Sequence, residues 1–207
     1  MPPNPGWPSI HPERSPACPS PQKKALYEDL YAVPENITGE IIDGEVIATP
    51  RPSRRHTLLT SPLGGKIIPP YFHGRGGGPG GWIIIIEPEV GLGEDILVPD
   101  LAGWKKERFP VSEETNWISV VPEWVCEVLS PRAIRVDKIK KMHICAHQGV
   151  RHFWLIDPIA RTLDVLRLET DKWVLAGVYA EDDKVRAEPF QEAEIALTRA
   201  CGSIRTA

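Results

Sequence analysis

A chain of 207 residues, 42% hydrophobic and 25% charged, is long enough for one domain with its own core. Its formal net charge of −4 argues against a protein that coats nucleic acid indiscriminately, although a local basic groove is compatible with it. No apolar run approaches the length of a membrane span, and the N-terminus lacks the basic and apolar regions of a signal peptide, so we expect a cytoplasmic protein. The four cysteines form no CxxC pair, which argues against a disulfide framework and a thiolate zinc site.

The ends of the chain differ in composition from its middle. Residues 1–21 are rich in proline and poor in large apolar groups, which predicts a disordered tail. We expect a single folded domain over residues 22–198 and a second tail over 199–207. Within the domain, apolar residues at helical spacing predict a short amphipathic helix over residues 21–33.

The next segments carry strong turn and helix-breaking signals. Residues 39–49 predict a β-hairpin with Asp43-Gly44 as its two-residue turn. Residues 53–72 begin like a helix with Ser53 as N-cap, but Pro62 and the later Pro69-Pro70 pair limit any helix to short pieces. Residues 73–81 lack the features of a phosphate-binding loop and are typical of a flexible hairpin loop.

Strands dominate the rest of the chain. We expect strands over 82–92 and 96–104, joined by a turn at 93–95, and further strands over 123–130 and 151–158. Residues 131–149 predict a helix with Ile139, Met142 and Ala146 on its apolar stripe and Gly149 at its end. This strand–helix–strand order implies a crossover, so the fold is an α/β fold with a mixed central sheet. Segments over 162–190 predict an antiparallel C-terminal meander.

Two predicted strands each bring a carboxylate into an apolar setting. Asp100 shares a strand face with Val98 and Ala102, and Glu127 shares one with Val125 and Leu129. If these strands are neighbours, the carboxylates converge, and two close carboxylates repel unless one is protonated or a cation lies between them. Oxygen ligands of this kind suit Mg²⁺ or Mn²⁺.

The predicted helix contributes a third group. Lys141 borders the apolar stripe and can reach over the sheet, where it could orient a water or stabilise charge on a phosphoryl oxygen. Two acids, a metal and a lysine make a plausible set for phosphodiester hydrolysis. A structural interpretation is equally open on spacing alone: Asp100 caps a turn, Glu127 pairs with a buried arginine such as Arg151, and Lys141 forms a surface pair with Asp137.

The order of these motifs resembles a bacterial family of restriction-endonuclease-like proteins within the PD-(D/E)XK nuclease superfamily. The segments "VPDLAGW", "PEWVCEVLSP" and "DKIKK…AHQGVRHFWLIDP" carry the resemblance, over roughly residues 25 to 170. The family pattern falls on six residues of this chain: Glu40, His56, Asp100, Glu127, Asp137 and Lys141. The superfamily places a lysine two residues after the glutamate. Here that position is Leu129, and Lys141 on the following helix takes its place.

The resemblance implies a restriction-endonuclease-like mixed sheet flanked by helices and a metal-dependent nuclease. Asp100 and Glu127 would bind Mg²⁺ or Mn²⁺, and Lys141 would be the catalytic lysine. Glu40 would complete the site or be a surface strand residue, two options that the sequence leaves equal. His56 would contact a phosphate or have no role in the site.

Basic residues cluster in two places, at 51–56 and 132–141. We expect Arg54, Arg55 and Lys138 to contact DNA, although a charge run is more often a solvated surface. Two other classes of function remain open: a nucleic-acid-binding module without turnover, and a structural or regulatory oligomer that uses the acids in ion pairs. Nucleases that cut both strands often form two-fold dimers, so we expect a homodimer or another homo-oligomer.

Overall fold

A computed structural model describes residues 23–110, 115–130, 136–180 and 183–196. Both predicted tails lie outside these residues, so the domain limits at 22 and 198 stay a prediction. The described chain forms a six-stranded central sheet, a four-stranded small sheet and a two-stranded ribbon. Nowhere in the described ranges is there a helix long and apolar enough to cross a membrane.

The central sheet is mixed, as the sequence predicts. Its strands lie in the order β10-β9-β8-β7-β6-β3, and only β7 and β8 among these pairs run parallel. Their bounds are β3 Trp82–Ile86, β6 Leu101–Lys105, β7 Trp124–Val128, β8 His152–Asp157, β9 Thr162–Glu169 and β10 Lys172–Ala180. The parallel pair requires the predicted crossover, and β9 and β10 form the predicted antiparallel hairpin.

The small sheet has the order β2-β1-β5-β4 and is antiparallel throughout. Its strands are β1 Ile37–Ile42, β2 Glu45–Pro50, β4 Val90–Leu92 and β5 Asp95–Leu97. The first two form the predicted hairpin, and both turn residues, Asp43 and Gly44, adopt positive φ angles of 55° and 77°. This geometry is the one that favours Asp-Gly turns in tight hairpins.

The two long strands predicted at 82–92 and 96–104 are each broken in two. One half of each pairs in the central sheet as β3 and β6, and the other half pairs in the small sheet as β4 and β5. The break falls at Glu87, whose φ is +50°, and at Pro99, which has no N–H for the ladder. A single kinked hairpin therefore crosses from one sheet to the other, and Asp100 lies at its kink.

The predicted fragmentation of residues 53–72 is wrong. An 18-residue helix, α1, spans Arg54–Tyr71 with three prolines inside it. The Ser53 hydroxyl accepts a hydrogen bond from the His56 N–H, as expected of an N-cap. A stripe with four-residue spacing is buried on the central sheet: Leu59, Leu63, Ile67 and Tyr71. Burial of these four side chains offsets the backbone hydrogen bonds that proline removes.

Other expectations for local structure also need correction. Residues 27–32 form a 3₁₀ helix, Tyr27–Ala32, rather than an amphipathic α-helix, and Leu26 before it is exposed because Asp29 closes a tight turn by accepting the Leu26 N–H. The glycine-rich loop at 73–81 joins α1 to β3 instead of joining two strands. The end of the predicted meander leaves the sheet: β11 Lys184–Val185 pairs with β12 Ile195–Ala196.

The predicted helix at 131–149 begins outside the described residues, which omit 131–135. A π-helical turn, Val136–Lys141, leads into α2, Met142–Gln148, and the helix ends at Gly149 with a φ of 83°. The predicted apolar stripe is wrong at its first position, because Ile139 is 61% exposed. Asp137 and Lys141 are buried instead, for the electrostatic reason given in the next subsection.

The central sheet separates two hydrophobic cores. On one face it packs against α1 and the C-terminal segment, and on the other against the small sheet and α2. Trp124, Cys126 and Val128 of β7 point into the first core, while Val125 points into the second. Cys126 and Cys145 are buried free thiols, as expected of small core residues.

Phe190 connects the C-terminal segment to the first core. Its ring lies 4.6–5.7 Å from the rings of Tyr71, Trp82, Trp124 and Trp154, measured between centroids. We expect Phe190→Ala to lower the free energy of unfolding by about 3–5 kcal/mol, because it removes a fully buried aromatic ring. Urea unfolding followed by tryptophan fluorescence measures this. The control Ile159→Ala, at a residue that is 67% exposed, should change it by less than about 0.5 kcal/mol. Equal effects would contradict the packing of this segment.

Candidate active site

A pocket of about 340 Å³ opens where the two sheets diverge at the kinked hairpin. Its floor is made of acidic and basic side chains from four elements, and its sides are made of small polar and apolar ones. The floor includes Glu40 from β1, Asp100 from the kink, Glu127 from β7, and Asp137 with Lys141 from the π-helical turn. Each of these five side chains is buried.

Strand geometry explains why Asp100 and Glu127 point to the same side. β6 and β7 are antiparallel neighbours, with Leu101 opposite Cys126. Ala102, Val125 and Leu129 all lie in the core between the central and small sheets, so the alternation of side chains directs both acids to that face. The two strands are therefore neighbours, and their two carboxylates lie on the same face of the sheet.

Lys141 is the centre of the buried charges. Its Nζ lies 2.9 Å from Glu40 Oε1, 3.0 Å from Glu127 Oε1 and 3.4 Å from Asp137 Oδ1. The interpretation of Lys141 as a surface residue paired with Asp137 alone is wrong, because its side chain is only 6% exposed and has two further partners. The suggested pairing of Glu127 with Arg151 is also wrong: Lys141 is the partner, and Arg151 is exposed.

Asp100 and Glu40 are held by backbone donors as well. Asp100 Oδ2 accepts a hydrogen bond from the Val128 N–H at 2.6 Å and lies 2.9 Å from His56 Nε2. Glu40 Oε1 accepts from the Val98 N–H at 2.7 Å. Glu40 is thus a buried floor residue rather than a surface strand residue. His56 contacts an acid of the pocket, an option that the sequence did not suggest.

The pKa shifts follow from burial and crowding. Burial raises the pKa of Glu127 well above its usual range; Lys141 opposes this, and the neighbouring acids add to it. Burial likewise raises the pKa of Asp137 to about 6. For Lys141, burial lowers the pKa, but the carboxylates of Glu127, Glu40 and Asp137 outweigh this and raise it well above the usual value. The lysine is therefore an ammonium cation at neutral pH, unsuited to act as a base.

The pKa of His56, which also lines the pocket, depends on a similar balance between burial and a neighbouring charge. Burial lowers the pKa of the imidazole, but the hydrogen bond and charge of Asp100 raise it above its ordinary value overall. Its Nδ1 is buried without a hydrogen-bond partner in the described structure. A ring whose Nε2 faces a carboxylate at 2.9 Å fixes the orientation of that carboxylate.

The donor set fits a hard divalent cation. Four buried carboxylates share one lysine and one histidine, so at neutral pH the negative charges exceed the positive ones unless protons or a cation are added. Carboxylate oxygens are the ligands that Mg²⁺ and Mn²⁺ prefer. Among the described residues no three acid, histidine or cysteine side chains already stand in a metal-binding group. The oxygens of Glu40, Glu127 and Asp137 point at Lys141 instead.

Two of the three residues predicted to contact DNA can be placed relative to this floor. Arg54 and Lys138 are exposed and neither lines the pocket, while the side chain of Arg55 lies outside what the structure describes. Within the basic cluster at 51–56, the sequence analysis did not single out Arg51, which lines the pocket and donates to the Glu35 carbonyl oxygen at 2.8 Å. The basic cluster itself was the available signal. Glu87, at the kink of the hairpin, also lines the pocket.

Comparisons with known proteins agree with this architecture. A family model described as "Putative restriction endonuclease", named Uma2, matches residues 25–200. A crystal structure from Anabaena variabilis, described as a "putative nuclease", is similar with a TM-score of 0.68 and 24% identity. The similarity covers 84% of this chain and 96% of that one, and at this identity it supports the restriction-endonuclease-like fold alone. No curated protein matches the chain.

The charge cluster predicts a large difference between two adjacent lysines. We expect Lys141→Met to lower the free energy of unfolding at neutral pH by about 3–5 kcal/mol, because it leaves buried carboxylates without their cation. Lys140→Met is the matched control, since Lys140 forms a solvent-exposed pair with Asp43 at 3.0 Å and should cost at most about 1 kcal/mol. Chemical denaturation of both variants measures the difference. Similar losses in the two would contradict a buried cluster centred on Lys141.

Proposed function

The chain belongs to the Uma2 family, and we propose that it is a Mg²⁺- or Mn²⁺-dependent endonuclease that hydrolyses phosphodiester bonds in DNA. The family description supports a nuclease function, and the similar structure, itself described as a putative nuclease, shares the fold. The observation that carries the metal-dependent reaction is the pocket floor, where Glu127 contacts the Lys141 ammonium and Asp100, immediately before the neighbouring strand, lines the same pocket. A cytoplasmic location and a homodimer remain predictions.

Asp100 and Glu127 are the residues that would hold the cation, with Glu40 as a further oxygen ligand. A divalent cation bound there supplies charge neutralisation and favours ionisation of a coordinated water. Asp100 is suited to this role because the Val128 N–H and His56 already fix one of its oxygens. Glu127 is suited because its carboxyl lies on the pocket floor among other acids, and a cation added there would oppose the effect of burial on its pKa and favour its ionised form.

Lys141 provides the positive charge that the reaction needs from the protein. Hydrolysis forms a bond between a water oxygen and phosphorus and breaks the bond from phosphorus to one sugar oxygen, which takes up a proton. Negative charge increases on the phosphoryl oxygens as this happens, and a buried ammonium donating to one of them stabilises it. Its raised pKa keeps Lys141 in the form that can donate.

The alternative is that the same ion pairs only stabilise the fold and have no role in catalysis. Lys141 already has three carboxylate partners, an arrangement that a scaffold or a binding protein without turnover could use equally well. The two proposals differ in metal affinity and in the effect of acid-to-amide changes, so the experiment below separates them.

The first test is DNA cleavage. With Mg²⁺ or Mn²⁺, the protein should cut supercoiled plasmid or single-stranded DNA, and Asp100→Asn and Glu127→Gln should each lower the rate by at least about a hundredfold, because each removes a metal ligand. EDTA should abolish cutting. Glu94→Gln, at an exposed residue away from the pocket, is the control and should cut like the wild type. Equal inertness of all four proteins, with equally poor Mn²⁺ binding, would favour the structural alternative.

The second test concerns His56 as a positioning residue for Asp100. We expect His56→Ala to weaken Mn²⁺ binding by about 10–100-fold in calorimetric titrations, because Asp100 loses the partner that orients it. His56→Gln should retain most of the affinity, since its amide can donate to the same oxygen. His143→Ala, at an exposed position of α2, should have no effect. If His56→Ala binds Mn²⁺ like the wild type, His56 does not position a metal ligand.

A further inference from the structure

The acids of the proposed site lie deep in the protein. Glu40, Asp100, Glu127 and Asp137 are between 2% and 7% exposed, and Lys141 is 5% exposed. A phosphodiester that reacts here must therefore enter the pocket rather than lie across its rim. The pocket volume of about 340 Å³ is at the small end of the range of roughly 300–1,000 Å³ found for small-molecule sites.

A pocket of this size is accessible to different degrees to duplex and to single-stranded DNA. In a B-form duplex every phosphate lies on the outside of a rod whose major groove alone is about 12 Å wide, so a small pocket can touch only the surface of the rod. A single strand has rotatable backbone bonds and unstacked bases, so it can lower one phosphate and its sugar into a recess. Enzymes that act on a base in a small pocket likewise use single strands or nucleotides turned out of the helix.

The described walls suit a sugar and a base better than a row of phosphates. Thr38 and Thr49, which are cross-strand neighbours, line one side of the pocket together with Pro50 and Pro52. These side chains offer hydroxyl groups and small apolar surfaces. Among the described lining residues the arginines and lysines are Arg51 and Lys141, and Lys141 is already paired with three acids. Binding of a long duplex depends on many phosphate contacts, which this lining does not provide.

Arg51 is the lining cation left to meet an incoming phosphate. Arg51 is exposed and lines the pocket, and its Nε and Nη2 both donate to the Glu35 carbonyl oxygen, at 3.3 and 2.8 Å, which holds the guanidinium without neutralising its charge. A planar guanidinium can donate to a phosphate through its remaining N–H groups.

We propose, on the premise of the nuclease function above, that the substrate of this site is single-stranded or locally unpaired DNA, and that Arg51 binds a backbone phosphate at the pocket entrance. The depth of the acids disfavours intact duplex as a substrate. Duplex with unpaired regions, such as a supercoiled plasmid with melted segments, is cut only at those regions.

The test compares closed circles, which have no ends. Closed circular single-stranded DNA and relaxed closed circular duplex are incubated with the full chain and Mn²⁺, and the first cut is measured in each. We expect the single-stranded circle to be cut at least tenfold faster per nucleotide. Comparable rates on both circles would overturn the inference while leaving the proposed function standing. Failure to cut either circle would count against the proposed function itself.

Measurements of DNA binding test the inference independently of catalytic turnover. Fluorescence anisotropy in Ca²⁺ is measured with a labelled 20-nucleotide single strand and with the blunt duplex of the same sequence. The single strand should bind at least tenfold more tightly, and equal or tighter binding of the duplex would overturn the inference.

The role of Arg51 is tested with the same single strand. Arg51→Ala should weaken binding about tenfold, as expected for loss of one charge-assisted phosphate contact. The control Arg75→Ala lies in the exposed glycine-rich loop and does not line the pocket, so it should bind like the wild type. Unchanged binding in Arg51→Ala would contradict entry of the strand past this residue.

Discussion

One buried ammonium group determines how three parts of this protein meet. Lys141 reaches carboxylates on β1 of the small sheet, on β7 of the central sheet and on its own helical turn. A buried charge without a partner is strongly destabilising, so each of these elements must deliver its acid to the same point. Apolar packing alone would tolerate many small shifts of a sheet against a helix. The charge cluster restricts those shifts, and it therefore defines the pocket.

The kinked hairpin makes this meeting possible. In a hairpin confined to one sheet, Asp100 would lie within a regular strand ladder. The residues around Asp100 would then be covered on both faces of the sheet. Because the chain passes from the central sheet to the small one at Glu87 and Pro99, the two sheets diverge there and leave a recess. The Asp100 carboxylate then caps the Val128 N–H beyond the last residue pair of β6 and β7. The same break that interrupts the strands thus opens the site and fixes one of its acids.

Local sequence patterns were sufficient to predict part of the fold and of the site, but not all of either. Alternation along two strands placed Asp100 and Glu127 on one face, because a strand has a period of two whatever lies around it. The helical stripe failed at Ile139 because Asp137 and Lys141 become good interior residues only when acids arrive from distant strands. The long helix α1 was missed for a related reason: its buried stripe is stabilised by a sheet formed later in the chain, and this outweighs the helix-breaking tendency of proline.

The depth of the site also affects how a phosphate and a cation would bind there relative to each other. An entering phosphate is an anion, and it meets a floor where four carboxylates face one ammonium and one imidazole. In the absence of added positive charge, repulsion at low effective dielectric opposes its entry. Lys141 cannot turn toward the phosphate without leaving acids unpaired. Charge added among the acids satisfies them and frees the ammonium for the phosphate. If the proposed function holds, the affinity of this pocket for a nucleic-acid strand and its affinity for divalent cations are therefore coupled, and each increases the other.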